Sequence, residues 1–216
     1  MRLLAVVLIS VIYVLSTYGQ VLETTESGSK TDCLTADKPP QEQLGDLTKK
    51  AETQIRIFFE TIKELGMNEK SPEMKQRYIN NTIKTFTNDG IVEERSKLAK
   101  EGVTRPVQEY LSRIKARGEN NRLLINYEIT DPLLPREITC TEVNGQVFLS
   151  GKMTIRQYYC RMKYNAKPSD DFDFNTHCDY WDITDKEITV EMKLMKSVYG
   201  VNWVTLIKSV VVLFVK

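Results

Sequence analysis

The sequence predicts an α+β fold, with helices first and a mainly antiparallel sheet packed against them. Three observations carry this. Ile188, Val190, Met192 and Leu194 alternate with Thr189, Glu191 and Lys193, the period-2 pattern of a strand with one buried face. Upstream, Leu47, Ala51, Ile55, Phe58, Ile62 and Leu65 recur every three or four residues, which is helical spacing. The run Val210-Val211-Val212-Leu213-Phe214-Val215 is unbroken and β-branched, so it is expected to form a central strand covered on both faces.

The 216 residues suit one domain with appendages. Thirty basic side chains stand against 29 acidic ones, with no basic stripe, which argues against a nucleic acid partner. Residues 1–19 read as a secretory signal peptide. Arg2 precedes an apolar core of about a dozen residues, too short for a membrane span, and Gly19 offers a cleavage site before Gln20. No stable membrane span is expected after cleavage. Residues 20–45 are polar, with Pro39-Pro40, and read as a flexible leader. The folded domain is expected over 46–216, and the location is the periplasm or the cell surface.

In the domain, Asp46 is the expected cap of the first helix and Gly66 its end. Ser71-Pro72-Glu73 opens a second helix, with Met74, Tyr78, Ile83 and Phe86 on its apolar side. Asn88-Asp89-Gly90 reads as a turn before a short strand over 91–95. Thr104-Arg105-Pro106 opens a third helix, carrying Val107, Tyr110, Leu111 and Ile114. Strands follow over 123–129, 137–140 and 147–149, the last two joined by an Asn144-Gly145 hairpin turn. Ser150-Gly151 is expected to bend the chain before a strand over 153–164.

Four cysteines without a C-x-x-C spacing fit disulfides in an exported chain better than a zinc or redox site. Folding the polar loop near 169–171 brings Cys160 and Cys178 to a similar level on adjacent strands, so these two are the expected pair. Cys140 falls opposite Leu149, and Cys33 in the leader is either unpaired or a tether.

This order of elements resembles the nuclear transport factor 2-like superfamily. The match runs over about 45–216, through the long first helix, Phe86-Thr87-Asn88-Asp89-Gly90-Ile91, Pro106-Val107-Gln108-Glu109-Tyr110-Leu111 and the late strands. The chain looks like an exported bacterial member. The resemblance implies a cone, in which a strongly curved sheet wraps a cavity, as in a cystatin-like roll. It also implies enzymes of the ketosteroid isomerase or polyketide cyclase kind as relatives, working through a carboxylate or histidine in the cone.

No catalytic constellation accompanies that implication. His177, the one histidine, lies in a polar loop, where solvent exposure is expected. Asp171-Phe172-Asp173-Phe174-Asn175 starts like a calcium loop, but Thr176 stands where glycine is needed and Asp182 where a bidentate Glu belongs, so it reads as a solvated acidic loop. No cofactor and no metal are expected. Tyr127, Glu128, Tyr158, Tyr159, Trp181 and Trp203 are the candidates for a cavity wall, although Tyr158 and Tyr159 must face opposite sides of a sheet. The functional reading is a non-catalytic binding or scaffolding protein. Its partner is another protein or a small apolar ligand, and homodimerisation runs through the sheet. The alternative is an isomerase- or cyclase-like enzyme using a cavity carboxylate.

Overall fold

An apolar stripe sets the longest helix. In the computed structural model, which describes residues 31–32, 39–67, 69–99, 101–166, 172–197 and 200–216, helix α1 spans Gln41–Gly66. Leu44, Leu47, Ala51, Ile55, Phe58, Phe59, Ile62 and Leu65 line its inner face, each at most 2% exposed. Burying side chains of this kind contributes about 1.5–3 kcal/mol apiece. The helix begins five residues before the expected cap at Asp46, with Pro40 as N-cap, because Leu44 extends the buried stripe by one turn. The end at Gly66 is as expected. The proposed signal peptide lies outside the described residues, as does most of the leader. Thr31 and Asp32 of the leader form a short strand, β1 (Thr31–Asp32).

Helix α2 (Pro72–Ile83) starts as its sequence indicates, with the Ser71 hydroxyl accepting from the Met74 N–H at 3.3 Å. Its inner face differs from the expected one. Lys75, Ile79 and Thr82 are buried, whereas Met74 is exposed. Thr82 holds the helix to α1 through a 2.7 Å hydrogen bond with Thr61, so a polar contact set the rotation that hydrophobicity suggested differently. Phe86 lies beyond the helix, in strand β2 (Phe86–Glu94). Asn88-Asp89-Gly90 is part of that strand, where the pairing shifts between Phe86 and Ile91. Turn-forming residues here make a bulge.

Strand β3 (Val103–Pro106) leads into helix α3 (Val107–Asn120), which buries Val107, Tyr110, Leu111 and Ile114 as its spacing predicts. Gly118 is where α3 meets α1. A Cβ at this position would press into the Leu65 carbonyl oxygen and lie 2.8 Å from that of Gly66. Gly118→Ala should therefore destabilise the protein by about 1–3 kcal/mol from overpacking, outweighing the roughly 1 kcal/mol gain in helix propensity. Urea unfolding checks this, and a variant more stable than the parent would refute it.

The remaining strands are β4 (Leu123–Asp131), β5 (Thr139–Val143), β6 (Gln146–Met162), β7 (Cys178–Ser197) and β8 (Gly200–Val215). They form one mixed, open, curved sheet in the order β1-β5-β6-β7-β8-β2-β3, with β4 also on β6. The β2–β8 pair is parallel and the others are antiparallel. Asn144 and Gly145 take positive φ at the β5–β6 turn, as the Asn-Gly signal requires. No bend occurs at Ser150-Gly151. Strand β6 continues through them, pairing β5 up to Ser150 and β4 from Thr154. Gly151 leaves room for Leu133 to pack there.

Strand β8 is internal to the sheet but covered on one face only. Val210 and Val212 are buried, while Val211, Leu213 and Phe214 are exposed. On that outer face the neighbouring strands carry ion pairs such as Arg156–Asp185 (2.7 Å) and Lys152–Glu187 (2.8 Å).

Cys160 and Cys178 are disulfide-bonded, with Cα atoms 5.6 Å apart. They are not opposite in register: Cys160 pairs with Trp181 and Cys178 with Met162, across an irregularity at Arg161/Met162. The bond anchors a second apolar cluster containing Met162, Leu124, Phe172, Phe174 and Trp181. Cys140 is also disulfide-bonded, while Cys33 lies outside the described residues. Among the described residues, no helix is long and apolar enough to cross a membrane.

Candidate functional site

The alternation that buries Ile188, Val190 and Met192 continues toward the start of β7, where Lys186, Thr184, Asp182 and Tyr180 share that inner face. The face thus changes from apolar to polar along one strand. At that point α3 and the β2–β3 connection stand off from the sheet and leave a cavity of about 400 Å³. The sheet supplies Gln157, Tyr159 and Arg161 of β6 beside the four β7 residues. Helix α3 supplies Tyr110, Arg113, Ile114 and Arg117, the end of β2 supplies Glu94, and the β2–β3 connection supplies residues including Arg95 and Leu98.

Two side chains on the wall that ordinarily carry a charge at neutral pH are nearly sealed from solvent, Asp182 and Lys186, each 5% exposed. Burial raises the Asp182 carboxyl above its ordinary range, although the Tyr180 hydroxyl donates to it at 2.6 Å and opposes the shift. Burial also lowers the Lys186 ammonium to about 8, partly offset by the charges of Asp182 and Glu94. The Lys186 Nζ lies 5.9 Å from the centre of the Tyr110 ring. The phenols respond in the same sense: burial raises Tyr110 and Tyr159, and takes Tyr180 to about 12.

Glu94 gathers three arginines, Arg105 at 2.8 Å, Arg117 at 3.1 Å and Arg113 at 3.3 Å. Two carboxylate oxygens engage only a few of the fifteen or so N–H donors that three guanidinium groups carry. Opposite them, the buried Gln157 side-chain oxygen has no hydrogen-bond partner among the described residues. It pairs in register with Thr184, so Asp182 and Lys186 are its diagonal neighbours on β7. At the rim, Lys97 lies 4.3 Å from the Trp181 ring centre and 5.3 Å from that of Tyr180, tying the β2–β3 connection to β7.

Of the six wall candidates read from the sequence, Tyr159 lines this cavity. Tyr127 stacks on Phe59 at 4.8 Å, under α1. Glu128 accepts from the Tyr158 hydroxyl at 2.7 Å, and Arg156 lies 3.8 Å from it. Tyr158 also stacks on Phe174, and Trp181 packs in the disulfide cluster. Trp203 packs against the main core. Asp173 of the acidic loop caps the short helix α4 (Phe174–His177), accepting from the Asn175 and Thr176 N–H groups, so its carboxylate is engaged locally. Asp171 lies outside the described residues.

Lys186 and Gln157 were not singled out by sequence, and Asp182 was noted only as the last position of a calcium-like loop, yet the parity of β7 held the signal. Extending the inward register of Ile188 back by two, four and six residues reaches Lys186, Thr184 and Asp182. Polar residues in inward register mark either a frayed strand or a polar site.

No family model matches this chain, and no curated protein does. A solved structure from Catenulispora acidiphila is similar at 10% identity and a TM-score of 0.35, over 79% of this chain and 93% of that one.

Proposed function

We propose that this is an exported binding protein whose cavity takes a small organic anion. The charge of the wall carries the reading: Arg95, Arg105, Arg113, Arg117, Arg161 and Lys186 face Glu94, Glu101 and Asp182, and with Glu93 pairing Arg95 and Glu109 pairing Arg105 from beside the wall, one positive group remains in excess. Tyr110, Tyr159, Leu98 and Ile114 add apolar and aromatic surface, which suits an amphipathic ligand with one acidic end. This differs from the protein partner or small apolar ligand expected from sequence. The order of helices before a curved sheet supports kinship with nuclear transport factor 2-like proteins. The apolar segment after Arg2 and the Cys160–Cys178 bond are compatible with export. Intact-mass analysis of exported protein should show a chain starting at Gln20, and a mass retaining residues 1–19 would overturn cleavage.

Calorimetric titration with pyridoxine 5′-phosphate, a small aromatic anion, tests the cavity. Binding is expected at low salt, weakening as salt rises. Arg117→Ala should lower the affinity about tenfold or more, because a hydrogen bond to a charged group contributes roughly 1.5–3 kcal/mol. Absence of binding by the parent protein, or an unchanged affinity in the variant, would refute the reading.

One observation favours a second reading, the isomerase- or cyclase-like enzyme. Asp182 is a buried carboxylate held above its usual range, with the Tyr180 hydroxyl as a neighbouring donor. On that reading Asp182→Asn abolishes turnover while ligand affinity survives. On the binding reading there is no turnover to lose.

A further inference from the structure

We propose that Lys186 is a carbonyl-capturing amine, whose ε-amino group condenses inside the cavity with the aldehyde of a small anionic ligand. This rests on the anion-binding reading of the same cavity.

The position of the side chain is the first argument. Lys186 is 5% exposed and forms part of the cavity wall. None of the ion pairs among the described residues includes it. Its Nζ faces the Tyr110 ring instead. A lysine buried for structural reasons is normally paired, because desolvating an ammonium is costly. Here the carboxylates Asp182, Glu94 and Glu93 act on it only through space. The same burial favours the neutral amine, the nucleophilic form. The second argument is the unpartnered Gln157 oxygen, which offers the ligand a hydrogen-bond acceptor diagonal to Lys186. The third is the arginine group on α3 and β3, which supplies donors for an acidic end while the carbonyl end reaches β7.

The chemistry balances without any oxidant or reductant. The Lys186 nitrogen lone pair attacks the aldehyde carbon, and its C=O π electrons pass to oxygen. Proton transfer gives a carbinolamine. The oxygen then leaves as water, carrying both amine protons, and a C=N bond remains. Protonation of that imine creates a cation that Asp182 and Glu94 can balance through space.

Pyridoxal 5′-phosphate, which combines an aldehyde with a phosphate, serves as the probe on the full chain. After borohydride reduction at pH 8, peptide mapping should place one dominant adduct on Lys186. At that pH, a lysine titrating near 8 holds roughly a hundredfold more neutral amine than an ordinary lysine. Labelling at Lys186 should reach half its plateau rate near pH 8, whereas labelling of exposed lysines keeps rising beyond pH 10. Lys186→Arg should lose the adduct, and the parent protein should still bind pyridoxine 5′-phosphate, which lacks the aldehyde. Labelling spread over surface lysines, or pyridoxine 5′-phosphate binding with Lys186 unmodified, would overturn imine formation and leave the anion site standing. If neither compound engages the protein, both readings fall together.

Discussion

Removing residues 210–216 is expected to abolish cooperative folding. Strand β8 lies between β7 and β2, so its last residues hold two neighbours at once. Val210 is opposite Ile188 on one side and Val92 on the other, and Val212 is opposite Lys186. The side chains of Val210 and Val212 are buried, and each contributes about 1.5–3 kcal/mol. Truncation also uncovers Ile188 and Val92 and takes away the Val212 N–H that donates to Glu93 at 3.1 Å. Each buried polar group left without a partner costs about 1–3 kcal/mol more. Against a typical total stability of about 5–15 kcal/mol, these losses remove most of the margin. Circular dichroism of the truncated chain should show no sigmoidal thermal transition. A cooperative melt close to that of the full chain would mean that the strand is dispensable.

Lys186→Met is expected to act in the opposite direction and stabilise the protein at neutral pH. Burial lowers the folded-state value of Lys186 to about 8 from its ordinary 10.5. A lysine lowered on folding binds protons more tightly when unfolded. Its charge therefore opposes folding fully below about pH 8, and the penalty fades as pH rises from 8 toward 10.5. A shift of this size corresponds to roughly 3 kcal/mol. Methionine fills similar volume without a charge, so most of that amount should be recovered at pH 7 and little of it at pH 10.5. Urea unfolding of parent and variant across this range measures the difference. A variant that is less stable at pH 7 would show that the Tyr110 contact and the through-space pull of Asp182 outweigh desolvation. A residue that costs stability where it stands suits a role in the cavity.

Parts of this fold were legible because local physics decides them. The stripe of α1 and the Ser71-Pro72 start of α2 depend on residues within a turn or two of each other, and they appear where the sequence puts them. The same holds for the Asn144-Gly145 hairpin, where only two backbone conformations are at stake. Elsewhere, local signals met longer-range demands. Asn88-Asp89-Gly90 has turn chemistry, but β2 has partners on both sides, β3 and β8, and absorbs those residues as an irregularity. Ser150-Gly151 resembles a bend, yet β6 stays straight because β7 pairs with it on both sides of the glycine.

The candidate site followed the same division. Aromatic residues in strands were conspicuous, but strand parity and the elements above the sheet decide which of them face a cavity. Tyr158 and Tyr159 are adjacent in sequence, and only Tyr159 reaches the wall. Glu128 drew notice as a carboxylate in a strand, while among the described residues the buried carboxylate is Asp182, in a stretch whose composition looks like surface.

By itself, the sequence determined the fold class, the helix-before-sheet order and the Cys160–Cys178 pair, though not the bonded state of Cys140, since periodicity, turn residues and strand adjacency are written in short stretches. Tertiary structure alone decided that the C-terminal run is covered on one face only. An unbroken apolar run satisfies the needs of its inner face, but what covers the outer face depends on elements far away in the chain. Tertiary structure also decided where α3 stands off from the sheet. That gap turns a polar stretch of β7 into the wall of a cavity, because burial of Asp182 and Lys186 depends on the distant helix and connection that close over them.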